Sequence, residues 1–364
     1  MEKHGRKLKK KFKIMLVIVA ILLIGIATLL GTFCYFKSPV SNDKKEVSVV
    51  IESGSTISDI ATLLKKEGLI KNEAFFKLYV KLKNVSNVYA AKYYFSPSMN
   101  LDKIINTLKK GGVNENEISI TFKEGINIRN IAKLIKENTS NSEEDVYKIL
   151  KDEKYLNSII EKYWFLTNDI KNSKIYYSLE GYLFPDTYRF NNKDVSVEEI
   201  FNKMLDQMEK ELSKYRNDIE KSKYSVHELI TLASIIELEG ANSNDRKGVA
   251  GVFYNRLEDN WNLGSDVTTY YAVKINMSDR DLRKSEINDC TNKYNTRCTS
   301  LIGLPIGPIS NPGIESIEAV LNPTKSDYYY FVADKTGKTY FNKTYEEHNK
   351  TIQTLKNNDM WFEY

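Results

Sequence analysis

Residues Ile14 to Phe36 form an unbroken apolar run. It is longer than the roughly 20 residues that cross a bilayer as a helix, so this stretch is read as a membrane-spanning helix. A secretory signal is the alternative, but its apolar region is usually about 7 to 15 residues and ends in a small-x-small cleavage pattern. The run is longer and no such pattern closes it, which makes it an uncleaved anchor. Ahead of it, Lys3, Arg6, Lys7, Lys9, Lys10, Lys11 and Lys13 face only Glu2. The positive-inside rule therefore makes residues 1–13 a cytoplasmic basic tail, residues 14–36 the span, and everything after Phe36 the exported part.

The same tail accounts for the charge of the chain. The whole sequence carries +5, of which residues 1–13 contribute +6, leaving the remainder near −1. The basic balance thus reports topology and gives no support for nucleic-acid binding. Of three cysteines, Cys34 belongs to the anchor and Cys290 and Cys298 share one polar exported loop. There they are either a disulfide, which an oxidising compartment allows, or two unpaired thiols, since spacing alone does not establish bond geometry. A zinc site is not expected: His4, His227 and His348 are scattered and no C-x-x-C pattern occurs. Without a Gly-rich phosphate loop or dinucleotide fingerprint, no cofactor is expected either.

Residues 37–46 are polar and contain Pro39, a short linker. A repeat follows. VSVVIESGSTISDIATLLKK from Val47 aligns without gaps to ISITFKEGINIRNIAKLIKE from Ile118, with Gly54 over Gly125, Ile60 over Ile131 and Leu63 over Leu134. Each copy reads as an alternating strand, a glycine turn and an amphipathic helix. Between the copies a helix is predicted over Ala74–Leu82, a strand over Tyr89–Phe95 and a helix over Leu101–Lys110. Residues 47–112 are thus a small β-α-α-β module of the kind that LysM domains exemplify. It is either a glycan holder or a spacer. From there residues 113–364 read as a larger, mainly helical α+β domain, with helices over Ser142–Lys151, Lys154–Phe165, Ser196–Tyr215, Ser225–Glu239 and Asn244–Glu258. A hairpin joins Tyr328–Ala333 to Lys338–Phe341.

The chemistry is expected in SVHELITLASIIELEG, residues 225–240. Ser225 and Glu228 have capping-box spacing, Gly240 is a stop, and nearly everything between is apolar. Burying a carboxylate is costly unless it is paired or protonated, yet Glu237 and Glu239 end this helix. At about 100° per residue they point in nearly opposite directions. Glu237 falls over Ile230, Ala233 and Ser234, a surface expected to raise its pKa as suits a general acid. Glu239 is expected to support structure or bind a neighbouring cation.

Four further segments supply hydrogen-bonding and aromatic groups suited to sugars: SLEGYLFPDTYRF from Ser178, LGSDVTTYYAV from Leu263, YNTR from Tyr294 and GLPIGPISNPG from Gly303. Together with LASIIELEGA, VFYNRL, IESIEAVLNPT, YYYFVAD and FNKTYEEHN, their order resembles the catalytic domain of the MltG (YceG-like) endolytic murein transglycosylases. That resemblance implies a lyase that cuts nascent peptidoglycan strands between N-acetylmuramic acid and N-acetylglucosamine and leaves 1,6-anhydromuramoyl ends. It puts the acid/base on Glu237, within A-S-I-I-E, and implies cell-wall synthases or elongation and division proteins as neighbours.

Candidate substrate-binding residues are Glu180, Asn255, Arg256, Ser265, Asp266, Thr268, Tyr294, Asn295, Thr296 and Asn311; of these, Asp266, Thr268, Tyr294, Asn295 and Asn311 either line the cleft or cap loops, and Asp266 and Glu180 are also candidates to stabilise positive charge or bind hydroxyls. Arg256 either holds a carboxylate of the substrate or makes a structural ion pair. His348 has no nucleophile partner and is read as structural. Where similar sequences have S-D-P-T this chain has Ser265, Asp266, Val267 and Thr268, and where they have Lys-Glu after the acid it has Leu238 and Glu239. Two rivals remain: a non-catalytic peptidoglycan-binding scaffold, which has no need of Glu237, and a hydrolase, which produces reducing ends.

Overall fold

The computed structural model describes residues 2–85, 88–113, 116–240 and 242–361. The chain divides into two compact units, Met1–Asn116 and Glu117–Tyr364. Helices and strands are mixed in both.

The first unit begins with α1 (Glu2–Lys37), whose stretch Met15–Lys37 is long and apolar enough to cross a membrane, with every residue from Met15 to Tyr35 exposed. That is compatible with a membrane anchor, because a helix apolar all round needs an apolar surrounding. Next, β1 (Val47–Ile51) is followed by α2 (Ile57–Lys66), α3 (Glu73–Leu82), β2 (Ala91–Phe95) and α4 (Leu101–Lys110). The strands pair antiparallel, Val47 opposite Phe95 and Ile51 opposite Ala91. Their alternation buries Val49, Ile51, Tyr93 and Phe95 against Ile60, Leu64, Phe76 and Ile104 from the helices.

The second unit opens with β3 (Ile118–Thr121), α5 (Ile128–Asn138), α6 (Glu143–Ile149) and α7 (Glu153–Lys162). Then come β4 (Thr187–Phe190), α8 (Val197–Leu212), α9 (Arg216–Lys221), α10 (Val226–Glu239), α11 (Ser243–Glu258), α12 (Asp266–Ala272) and α13 (Lys284–Ile287). It ends with α14 (Ile314–Leu321), the hairpin β5 (Tyr330–Ala333) and β6 (Thr339–Asn342), and α15 (Tyr345–Asn357). The repeat is real in three dimensions. Gly54 and Gly125 both turn with positive φ, 84° and 75°, and Thr56 and Asn127 cap the helices that follow.

Helix α10 is the centre of this unit. The Ser225–Glu228 capping box starts it, every residue from Leu229 to Ile236 is buried, and α11, α12 and α14 pack around it. Two of the segments rich in hydrogen-bonding and aromatic groups contain regular structure. Thr187–Phe190 is a strand because β3 pairs with it antiparallel across distant sequence, a partner that local pattern does not reveal. Asp266–Ala272 is a helix despite its β-branched and aromatic residues, which favour helix weakly. Burial of Val267, Thr268, Thr269, Tyr271 and Ala272 compensates. The open alternative for the cysteines is resolved: Cys290 and Cys298 form a disulfide with Cα atoms 5.3 Å apart.

Candidate active site

Helix α10 places its last two glutamates in different surroundings. The Glu237 side chain is only 5 % exposed and pairs with Arg246, Oε1 to Nη2 at 2.9 Å. Its Oε2 accepts from the backbone N–H of Gly313 at 2.9 Å and from the Ser316 hydroxyl at 2.8 Å. These donors belong to the first turn of α14, where a carboxylate is favoured by the unpaired N–H groups and the helix dipole. The missing side chain of Gly313 leaves room for Glu124, whose Oε1 would lie 1.9 Å from a Cβ there. The apolar surface expected around Glu237 is therefore corrected. The helical wheel showed the neighbours within α10, whereas the carboxylate reaches beyond them to a guanidinium and a helix N-terminus. Both oxygens are engaged, and the residue clamps α10 to α14.

Glu239, one turn end further, lines a cavity of 460 Å³. Burial pushes its carboxyl above the usual carboxylate range, and Asp266 adds to this, while the Ser265 hydroxyl, Arg256 and Arg297 pull the other way. The Ser265 hydroxyl donates to Oε1 at 2.5 Å. Ser265 is itself fixed. Its N–H donates to Thr296 Oγ1 at 3.1 Å and its carbonyl accepts from Thr268 Oγ1 at 2.7 Å. The rest of the lining includes Asp266, Arg297, Trp261, Tyr330 and His348. Asp266 is exposed at the rim and pairs with Arg297 at 3.3 Å. Burial and nearby Arg256 lower the His348 pKa, so the imidazole is neutral at neutral pH, stacked on Tyr330. One oxygen of an acid held by a hydroxyl, in a cavity walled by aromatic and polar groups, is an arrangement suited to proton transfer to a bound sugar.

The expected binding residues separate into two groups. Ser265, Asp266 and Arg256 line the cavity with Glu239, and Thr268 and Thr296 stand buried behind Ser265. Arg256 is nonetheless committed: its Nε donates to the Tyr329 carbonyl at 2.8 Å, Nη1 to the Leu263 carbonyl, and the guanidinium sits over Tyr330. The others are placed elsewhere with their polar groups already engaged. Asn255 donates to the carbonyls of Ser326 and Tyr328. Asn295 accepts from Thr269 and donates to the carbonyls of Glu286, Ile287 and Asp289. Tyr294 is buried between the rings of Tyr176 and Tyr271. Asn311 bridges Leu183, Ile126 and Glu180. Glu180, 2 % exposed, accepts from the Ile128 N–H, Tyr271 and Asn311, and its burial raises its pKa to about 8.

A model of the YceG-like family matches residues 49–354. A protein named endolytic murein transglycosylase from Bacillus subtilis (strain 168) is 41 % identical over 326 residues, 88 % of this chain and 89 % of that protein. The chain belongs to the YceG-like family. A second relative of the same name, from Streptococcus pneumoniae serotype 2 (strain D39 / NCTC 7466), is 34 % identical over 329 residues, covering 86 % of this chain and 59 % of that protein. The crystal structure of a YceG-like protein from Listeria monocytogenes superposes with a TM-score of 0.60 at 40 % identity, covering 85 % of this chain and all of that one.

Within this YceG-like chain, sequence reading missed Trp261, Arg297 and Tyr330 as cavity residues and took His348 as structural. Trp261 sits in the loop ahead of LGSDVTTYYAV, while Arg297 closes YNTR and Tyr330 lies within YYYFVAD, and only the fold brings the three onto one cavity. For Glu239 a signal existed. Its neighbour Gly240 ends α10, so the residue lies where the helix opens to a cavity.

Proposed function

We propose that this chain is a membrane-anchored peptidoglycan lytic transglycosylase in which Glu239, rather than Glu237, is the general acid and base. The observation that carries the reading is the Glu239 carboxyl in its cavity, its pKa raised by burial and one oxygen held by Ser265. Protonated Glu239 donates to the glycosidic oxygen as the bond from muramoyl C1 breaks and positive charge spreads over the ring. The resulting carboxylate takes the proton of the muramoyl C6 hydroxyl, whose oxygen closes on C1. This yields the 1,6-anhydro end and a free hydroxyl on the leaving sugar, with no water consumed. Trp261 offers a face to sugar rings, and Asp266 at the rim offers an acceptor to hydroxyls or a counter-charge to the developing cation.

The long apolar α1 supports anchoring, with the basic tail inside and everything after Phe36 outside. The linker from Phe36 to Val47 spans at most about 3.5 Å per residue, which favours strands still close to the membrane and synthases as neighbours. The β-α-α-β part of the first unit is proposed as a LysM-like module. It serves as a glycan holder or a spacer ahead of the catalytic unit.

A hydrolase is the second reading, because Asp266 puts another carboxylate in the same cavity and inverting or retaining hydrolysis uses two. The full chain in detergent, incubated with purified peptidoglycan and its products weighed by mass spectrometry, separates these. Anhydro ends that disappear with Glu239→Gln support the transglycosylase. Reducing ends indicate the hydrolase, and intact glycan a scaffold.

A further inference from the structure

A second cavity, of 590 Å³, lies beyond the C-terminal end of α12, lined by Tyr147, Tyr176 and Tyr177 and by Lys151, Lys171 and Lys274, with Glu153 as the lone acid. Tyr147 and Tyr177 stack with centroids 5.8 Å apart, and the Lys274 ammonium is 4.1 Å from the centre of the Tyr176 ring. Aromatic rings with lysines around them suit a sugar that carries a negative group.

The backbone adds a separate argument. Lys274 has φ 59°. It is the left-handed residue that ends α12, with its own N–H on the Tyr271 carbonyl and the Ile275 N–H on the Tyr270 carbonyl. This is the Schellman arrangement, in which glycine is the residue without steric penalty. A lysine here is disfavoured by the fold, so its side chain is what recommends it. The position also links the two sites. Ser265 and Asp266, at the start of α12, line the Glu239 cavity. Val267, Tyr270 and Tyr271 line a small cavity of 150 Å³, and Lys274 opens onto the tyrosine cavity. At about 1.5 Å per residue the path from Asp266 to Lys274 is about 12 Å. Arg129 lines the middle cavity, and among the described residues its buried Nη1 has no hydrogen-bond partner.

We infer that the tyrosine cavity and Lys274 form a distal subsite for an anionic glycan: a further stretch of the strand, its sugar on the tyrosines and a stem-peptide carboxylate on Lys274. This rests on the peptidoglycan reading above. It assigns the chain a preference for strands that carry their stem peptides.

The test uses the full chain in detergent, with Glu239→Gln to prevent cleavage, and two probes: uncrosslinked glycan strands with stem peptides, and the same strands stripped by an amidase. The parent is expected to bind the stem-bearing probe more tightly. Lys274→Gly is expected to weaken that binding about fivefold, the reach of one exposed charge contact, and to bring the two probes level. Its melting temperature stays at or above the parent's, since the left-handed strain is relieved. Lys274→Glu weakens binding further. Unchanged affinity in both variants, or equal binding of the two probes by the parent, overturns the subsite. Cleavage by chains retaining Glu239 is scored apart: binding that depends on Lys274 without any cleavage leaves the subsite standing and removes the reaction.

Discussion

The Ser265 hydroxyl donates to Oε1 of Glu239 at 2.5 Å, and the residues that hold Ser265 in place, Thr296 and Thr268, come from a loop and a helix distant in sequence from α10. Glu239 thereby has Oε1 held in place, and among the described residues no donor reaches its other oxygen. Replacing it with Gln removes the transferable proton and keeps the shape. The expected result is a fall of at least about 10²-fold in anhydro-ended product, at an unchanged melting temperature. Near-parent turnover by Glu239→Gln eliminates it as the acid.

Glu237→Gln is expected to do the reverse. It breaks the pair with Arg246 and weakens the clamp onto α14, and Arg246 retains Glu315 as a partner. A loss of about 2–3 kcal/mol follows from disturbing a buried charged contact, read by urea unfolding. The folded fraction keeps its cleavage rate within about tenfold, a smaller effect than the loss of a positioned acid. Loss of cleavage with no change in stability returns the acid to Glu237.

Ser265→Ala removes a bond that favours the charged form of Glu239. The carboxyl pKa then rises further, so the alkaline limb of the cleavage profile moves to higher pH while the maximum rate falls. A profile that only scales down, with its limb unmoved, shows that Ser265 does not tune the acid.

Glu180 predicts a pH dependence of stability. Its ordinary value is 4.5 and its folded value is raised to about 8 by burial, so between these the folded state keeps a proton that the unfolded state has lost. The stabilisation is complete below about pH 4.5 and is lost as pH rises through about 8, at no more than about 1.4 kcal/mol per unit. Glu180→Gln mimics the protonated form. Its melting temperature is expected to gain on the parent's across that window and to level off above it. Parallel curves rule this out.

The disulfide closes the loop that carries Tyr294, Asn295 and Thr296. Restricting a loop of this length is worth about 2.5 kcal/mol by chain entropy. The double variant Cys290→Ser, Cys298→Ser is expected to melt earlier and to cleave more slowly, through Thr296 and Ser265. Equal melting and rate show that the surrounding hydrogen bonds hold the loop alone.

Patterns that are local were legible in advance. The repeat, the capped α10 and the terminal hairpin follow from periodicity and caps, and the family followed from ordered motifs. What was not legible depends on chain segments meeting. Glu237 looked apolar on a helical wheel, but Arg246 and the start of α14 supply its partners. β4 required β3, and α12 required burial on α10. Asn255, Asn295 and Asn311 resemble sugar-binding groups in sequence, yet each spends its amide on backbone of its own fold. Their donors were visible and their targets were not.

Asn295 has a consequence for the lifetime of the molecule. Its amide nitrogen serves three carbonyls at 2.7 to 3.0 Å and the residue is 1 % exposed. Conversion of that amide to an acid, the common chemical ageing of asparagine, sets an oxygen against three oxygens in a place that water barely reaches. The wall behind Ser265 would loosen from a single replaced atom. Tight packing thus keeps the loop in shape and also shields it from the reaction that would date the enzyme.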